Sequence, residues 1–431
     1  MSATAAPPVD DASARTALAL LRELLPASDP ACAIRLWDGT RWAPPGTEPA
    51  VTIVVNRPDA LARLLRPRSE AALVEAYLLG DLDVEGDIFQ VSTVGRAILD
   101  QRRTLRHARV ALRLALRAVG RGAGRASSID PPLRGTRHSV ARDRAAVTHH
   151  YDVSNRFYEL FLDPAMVYSC AIFANPDEPL ATAQRRKLDT VCRKLRLQRG
   201  ERLLDIGCGW GALLLHAVRE FGVAAVGLTL SERQAELARR RIADAGVADR
   251  CRVELRDYRT LDDVEAFDKV ASVGMFEHVG RARAAEYFAT IHRVLRPGGA
   301  YLHHAIGRDP GVPQRRGLTL SNYYVFPDHE LIPIGEVVAE AERQGLELRD
   351  VEALREHYAL TLRRWVAALE AHRDEAVAEV GEPTWRAWRL TFASAAREFE
   401  RGRDTVTQAL LVKRHADGAA GLPLLRSDWY D

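Results

Sequence analysis

The 431-residue sequence predicts an α/β protein: a doubly wound, mostly parallel sheet with a smaller N-terminal α+β domain before it. Three observations predict this. Short apolar runs at 203–206, 225–230, 251–255, 267–273 and 301–306 alternate with helix-length segments, the pattern of a parallel sheet with crossover helices. The first run ends in Gly207-Cys208-Gly209-Trp210-Gly211, a turn whose glycines let the backbone bend sharply before Leu213-Leu214-Leu215 opens a helix. Length and a hydrophobic content of 47% suffice for two or three cores.

Taken in order, residues 1–12 are rich in Ala, Pro and Asp and are expected to be disordered. Ser13 suits the N-cap of a helix ending at Leu25, before Pro26. Residues 33–36 and 40–42 read as strands joined by Asp38-Gly39, 51–55 as a third strand, and 61–79 as a helix. Asp81-Leu82-Asp83-Val84-Glu85-Gly86-Asp87 is acidic, but its spacing departs from a calcium loop and reads as a solvated turn. Residues 13–100 thus form a small accessory domain with nothing catalytic in it.

Between 101 and 125 the chain carries arginines and no acidic residue. On a helical wheel Arg102, Arg106, Arg109, Arg113 and Arg117 share one face, beside Leu105, Leu112, Leu116 and Val119. Such a helix suits a lipid interface with anionic headgroups, or an ordinary solvated surface. Glycines at 120, 122 and 124 and Pro131-Pro132 mark a linker to about residue 140. The doubly wound domain is expected over 141–415, followed by a tail, 416–431.

A net charge of +3 implies no nucleic-acid partner. Five cysteines without C-x-x-C spacing fit neither a disulfide framework nor a zinc site, so no metal is expected. The absence of an apolar run of about 18 residues, and of a signal-peptide plan, leads to a cytoplasmic expectation with only peripheral membrane contact.

In a doubly wound sheet the ligand lies beyond the strand C-termini. Gly207, Thr229 and Asp257 all fall there, and Ser231 starts a helix with Gln234 in its first turn. The glycine loop alone is shared with dinucleotide enzymes, although their spacing prefers a third glycine where this chain has Ala212. The loop, with a polar residue after the second strand, resembles the S-adenosylmethionine-dependent methyltransferases. That resemblance implies a class I methyltransferase fold, with Asp205, Gly207 and Gly209 at the methionine part, Thr229, Leu230 and Gln234 at the ribose, and Asp257 and Tyr258 at the adenine.

Further motifs narrow it. His149-His150-Tyr151-Asp152-Val153-Ser154-Asn155, Tyr168-Ser169-Cys170-Ala171, Phe276-Glu277-His278, His303-His304-Ala305-Ile306-Gly307, Tyr324-Val325-Phe326-Pro327 and His357-Tyr358-Ala359-Leu360 occur in this order. Together they resemble the cyclopropane-fatty-acyl-phospholipid synthases and mycolic acid cyclopropane synthases, over about 145–415. In that family a cis alkene of an acyl chain attacks the methyl group of S-adenosylmethionine, and the resulting carbocation loses a proton to bound bicarbonate. The resemblance places Cys170, Glu277, His304 and Tyr358 at that anion, Ile306 against it through its backbone, and Tyr168 and Ser169 at the cofactor. Aromatic faces stabilise cations without reacting with them, which suggests Tyr151, Phe157 and Phe276 for the substrate pocket.

The substrate implied is a phospholipid with an unsaturated acyl chain, reached from the inner face of the membrane; a homodimer is left open. Cyclopropane and methylene-branched products both follow from the same cation. A heteroatom methyltransferase and a non-catalytic lipid-binding protein are the readings from other classes. Two departures stand out: His303-His304-Ala305-Ile306 replaces the usual Leu-His-Thr-Ile, and Asp328-His329-Glu330 replaces a glycine-containing turn near the expected acyl entrance. Trp365, Trp385, Trp388 and Phe392 lie on helical patterns near the end, and 408–412 reads as a last strand that closes the sheet.

Overall fold

Alternation of side chains along Leu203-Leu204-Asp205-Ile206 sets the architecture of the larger unit. The computed structural model describes residues 11–24, 32–46, 48–58, 60, 70–100, 139–151, 153–312, 325–326 and 328–426. The arginine stripe at 102–117 lies outside them. The chain divides into two compact units, one comprising residues 1–130, 316–324 and 381–397, the other 131–315, 325–380 and 398–431.

In the first unit, β1 (Cys32–Arg35), β2 (Arg41–Trp42), β3 (Val51–Val55) and β4 (Leu82–Gly86) form a sheet of order β2-β1-β3-β4. The hairpin turns at Gly39, whose φ of 88° is the left-handed conformation glycine tolerates. The first helix spans Asp11–Leu24, so Ser13 lies inside it instead of capping it. The acidic segment differs more: 82–86 is an edge strand, not a turn. Leu82 and Val84 are buried while Glu85 faces out, and Val51–Val55 pairs along its length. Among the described residues no acidic cluster is arranged to hold a metal ion.

The second unit carries β5 (Arg202–Ile206), β6 (Ala224–Thr229), β7 (Cys251–Leu255), β8 (Phe267–Val273), β9 (Leu295–Arg308), β10 (Leu346–Ala353) and β11 (Asp404–Lys413), in the order β10-β11-β9-β8-β5-β6-β7. β5 to β9 are parallel, and β11 runs antiparallel between β9 and β10. This is the doubly wound, mostly parallel sheet the sequence predicts, with β10 an additional strand. Leu203 joins the core under helices Leu180–Lys194 and Ala212–His216; Leu204 and Ile206 join the core under helix Ala284–Val294. Winding reverses between β5 and β8, which opens a crevice at their C-terminal ends.

The aromatic tail also differs from expectation. Trp365 lies in helix Arg355–Ala371 of the second unit, but Trp385, Trp388 and Phe392 lie in the 381–397 stretch of helix Glu382–Glu400, which belongs to the first unit. There Arg386 donates to the carbonyls of Tyr77 (3.2 Å) and Leu82 (3.4 Å) and forks onto Asp83. Arg389 donates to the Tyr77 hydroxyl at 3.1 Å.

Candidate active site

The crevice is built by the three glycines. Gly207, Gly209 and Gly211 have φ of 85°, 53° and 82°, and the Gly207 and Cys208 N–H groups both donate to the Leu228 carbonyl at 2.9 Å. A methyl group added at Gly207 would lie 2.8 Å from Met275, so only hydrogen fits there; one added at Gly209 would meet no protein atom within 4 Å. The loop therefore keeps open space on its ligand side. Ser231 caps helix Glu232–Asp244 by accepting from Gln234 N–H, and the Thr229 hydroxyl is 2.7 Å from Gln234 Oε1.

All ten residues expected at the cofactor, Tyr168, Ser169, Asp205, Gly207, Gly209, Thr229, Leu230, Gln234, Asp257 and Tyr258, line this one cleft. Its wall also includes Asp143, Lys187, Arg259, Met275 and His278, none of which the sequence assigned to the cofactor. Asp205 is buried, its Oδ1 has no hydrogen-bond partner among the described residues, and burial pushes its carboxyl up to about 7. An uncompensated buried oxygen on a cleft with glycine-lined space fits a ligand that brings a donor. Asp257 is already engaged: its two oxygens accept from Arg259, which also reaches Asp143 at 3.1 Å. Helix Val140–Tyr151 is thereby tied to the cleft. The unusual Asp328 adds a second tie. In the left-handed region at φ 64°, it accepts from Arg142 Nε and Nη2 at 2.5 and 3.0 Å.

The residues expected at the anion are buried outside the cleft lining. Glu277 follows the tight turn at Gly274; its Oε1 accepts from Ile306 N–H at 2.7 Å, while Oε2 has no partner among the described residues. Burial raises its carboxyl from 4.5 to about 7. The Ile306 N–H is thus occupied by Glu277. His304 Nδ1 lies 3.1 Å from Gln408 Nε2; an acceptor at Nδ1 places the ring proton on Nε2, which has no partner among the described residues. Burial, with Lys187 and Lys194 nearby, lowers its pKa well below 6.5, so the imidazole is neutral. Cys170 is buried, its thiol pKa raised by burial, with Sγ 3.2 Å from the Ala171 carbonyl. The loop is bound to helix Arg355–Ala371, since Ala171 N–H donates to Thr361 Oγ1 (3.0 Å) and Phe173 N–H to His357 Nδ1 (3.1 Å). Tyr358, on that helix, is buried against Trp365 and Phe399.

Two aromatics expected at the substrate are buried away from the cofactor cleft. Phe157 packs on Tyr158 and Phe161, and Phe276 on Tyr287, Phe288 and His303; neither lines the cleft. The side chain of Tyr151 lies outside the described ones. His303 accounts for the first departure: its Nδ1 lies 2.8 Å from the Tyr301 hydroxyl, which lies 2.9 Å from that of Tyr287, a buried polar chain beneath His304.

Comparison with known proteins agrees with this geometry. The family model "Mycolic acid cyclopropane synthetase" matches residues 138–409. A "Probable fatty acid methyltransferase" of Pseudomonas putida is 41% identical over 92% of this chain and 95% of its own length. "Cyclopropane mycolic acid synthase 3" of Mycobacterium tuberculosis is 38% identical over 62% of this chain and 96% of its own. The crystal structure of the mycolic acid cyclopropane synthase CmaA1 complexed with SAH and CTAB superposes with a TM-score of 0.60 at 36% identity, covering 62% of this chain and 97% of that one. Family match, class I sheet order and a glycine-built cleft lead to one conclusion: the chain belongs to the mycolic acid cyclopropane synthetase family and is an S-adenosylmethionine-dependent methyltransferase.

Proposed function

We propose that the chain adds a one-carbon unit to the cis double bond of unsaturated acyl chains in membrane phospholipids and closes it to a cyclopropane. The observation that carries this is Glu277, a dry carboxyl on the turn behind the cofactor cleft with one oxygen uncommitted among the described residues and a pKa near neutrality. S-adenosylmethionine supplies an electrophilic methyl group when bound. Gly207, Gly209, Thr229 and Gln234 would hold it, and Asp205 would accept from its ammonium group. An alkene is a weak nucleophile, so the chain's own contribution is to hold the double bond in place without water and without competing nucleophiles. The Cys170 thiol, kept protonated by burial, suits that requirement. So does the neutral His304, whose Nε2–H is available to donate to an anion.

The cation left on the acyl chain must lose a proton. Bicarbonate as the base suits an N–H donor at His304 and a carboxyl at Glu277 that can share or accept a proton near pH 7. The same cation allows a second outcome, loss of the proton from a neighbouring carbon to leave a methylene or, after reduction, a methyl branch, and the P. putida relative's name, a fatty acid methyltransferase, fits either product. The arginine stripe supports docking on the anionic inner face of the membrane. Lipids from a host that expresses the chain and is fed methyl-labelled methionine test the proposal. Label in acyl chains with cyclopropane ring protons in the NMR spectrum supports ring closure, vinylidene protons would select the branched product, and unlabelled acyl chains would overturn both.

A further inference from the structure

Lys187 lies on helix Leu180–Lys194, on the face that packs against β5, with Leu188, Val191 and Cys192 in the same core as Leu203. Side chains alternate along a strand, so Asp205 projects to that same side. The Lys187 side chain is 2% exposed and lines the cofactor cleft. Its Nζ donates to Ser169 Oγ at 2.9 Å and forms no ion pair with any described residue. One turn earlier, Gln184 Nε2 donates to the Ser169 carbonyl at 2.8 Å, so helix and loop are held in register. A buried ammonium has three N–H groups to satisfy, and only one is used.

Asp205 presents the opposite charge in the same condition. It is 2% exposed, its Oδ1 is unpartnered among the described residues, and it lines the same wall. Lys187 feels Asp205, and more strongly the buried Asp163 whose oxygens accept from the Ala165 and Val167 N–H groups, yet it meets neither as an ion pair. A buried cation and a buried anion held apart on one cleft wall suit a ligand that carries both charges at a fixed separation, which is the description of an α-amino acid zwitterion. Ser169 completes the arrangement. By accepting from Lys187, its oxygen commits a lone pair, and its hydroxyl proton is left to donate toward a carboxylate.

We infer that Lys187 is a positioning residue that, through the Ser169 hydroxyl, seats the carboxylate of the cofactor's amino-acid end while Asp205 takes the ammonium. The inference rests on the proposed cofactor cleft. Desolvation holds the Lys187 amine down to about 8, low for lysine but high enough to keep it largely charged at neutral pH. Among the described residues no other lysine lines the cleft.

Calorimetry with two ligands tests it: S-adenosylhomocysteine, which has the amino-acid end, and 5′-methylthioadenosine, which lacks it. Lys187→Met should weaken S-adenosylhomocysteine by about tenfold or more and change methylthioadenosine less than about twofold. Ser169→Ala, which keeps the buried amine and removes the relay, should show the same selectivity. Methylthioadenosine binding doubles as the measure of an intact fold. Equal losses for both ligands, or no loss for either, would overturn the role of Lys187 while leaving the cleft assignment standing. Failure of the unaltered chain to bind either nucleoside would instead overturn the cleft, and this inference with it.

Discussion

Glu277→Gln should trade catalysis for stability, in a way that pH exposes. The carboxyl is fully buried, holds the Ile306 N–H with one oxygen, and has its pKa raised from 4.5 to about 7 by burial. A carboxyl that binds its proton more tightly in the folded chain contributes stability below the unfolded value near 4.5, and this is lost as pH rises through about 7. At ~1.36 kcal/mol per pH unit, that gap amounts to about 3 kcal/mol. Glutamine does not titrate, and its carbonyl can still accept from Ile306. Relative to the unaltered chain, the variant should therefore gain on the order of 3 kcal/mol between pH 5 and pH 8. Asp205, whose carboxyl also titrates near 7, is present in both proteins and cancels in the difference. Urea titrations followed by tryptophan fluorescence at a series of pH values provide the measurement. Stability curves that stay parallel from pH 5 to pH 8 would refute the dry carboxyl, and with it the reason for placing proton removal there.

The remaining predictions concern cofactor, base and membrane. Gly209→Val should abolish binding of S-adenosylhomocysteine, since its side chain projects into space that no protein atom fills; forcing φ of 53° on valine should cost only ~1–2 kcal/mol, and unchanged calorimetric affinity would refute the loop's role. His304→Ala should lower turnover by at least about tenfold with cofactor affinity nearly unchanged, and the variant should lose the response to bicarbonate-depleted buffer that the unaltered enzyme shows. Arg106→Glu with Arg113→Glu should weaken sedimentation with anionic vesicles and activity on them while sparing cofactor binding, because each basic residue near such a surface is worth ~1 kcal/mol. Vesicle binding that is insensitive both to this change and to salt would make the stripe a solvated surface.

Most of the larger sheet is legible in the sequence because its strands are buried on both faces, and burial writes itself as apolar runs such as 203–206 and 267–273. The two missed strands are those for which that argument fails. β4 is a half-exposed edge with Asp83 and Glu85 on it, and β10 closes the far edge with Glu347, Arg349 and Asp350 among its residues. The cofactor residues are legible because glycine spacing and caps are local signals. Lys187 is not: on a helix surface a lysine reads as solvated, and its burial follows only when the Tyr168–Cys170 segment folds onto it. The one available signal is Gln184, Lys187 and Val191 on a single face, two polar residues aligned with apolar ones.

The placement of residues 381–397 in the first unit affects how the protein is made. Arg386 donates to acceptors between Tyr77 and Asp83, yet it leaves the ribosome roughly 300 residues later, a delay of about 15–60 s at ordinary elongation rates. Throughout that interval the amino-terminal sheet is a nascent structure without one of its helices, while the strands of the second unit emerge in between. Folding during synthesis cannot proceed from one end to the other. Stop codons close to the carboxyl terminus would therefore damage the earliest part of the chain, and an expression fragment that ends at the linker would lack a helix that its boundary does not reveal.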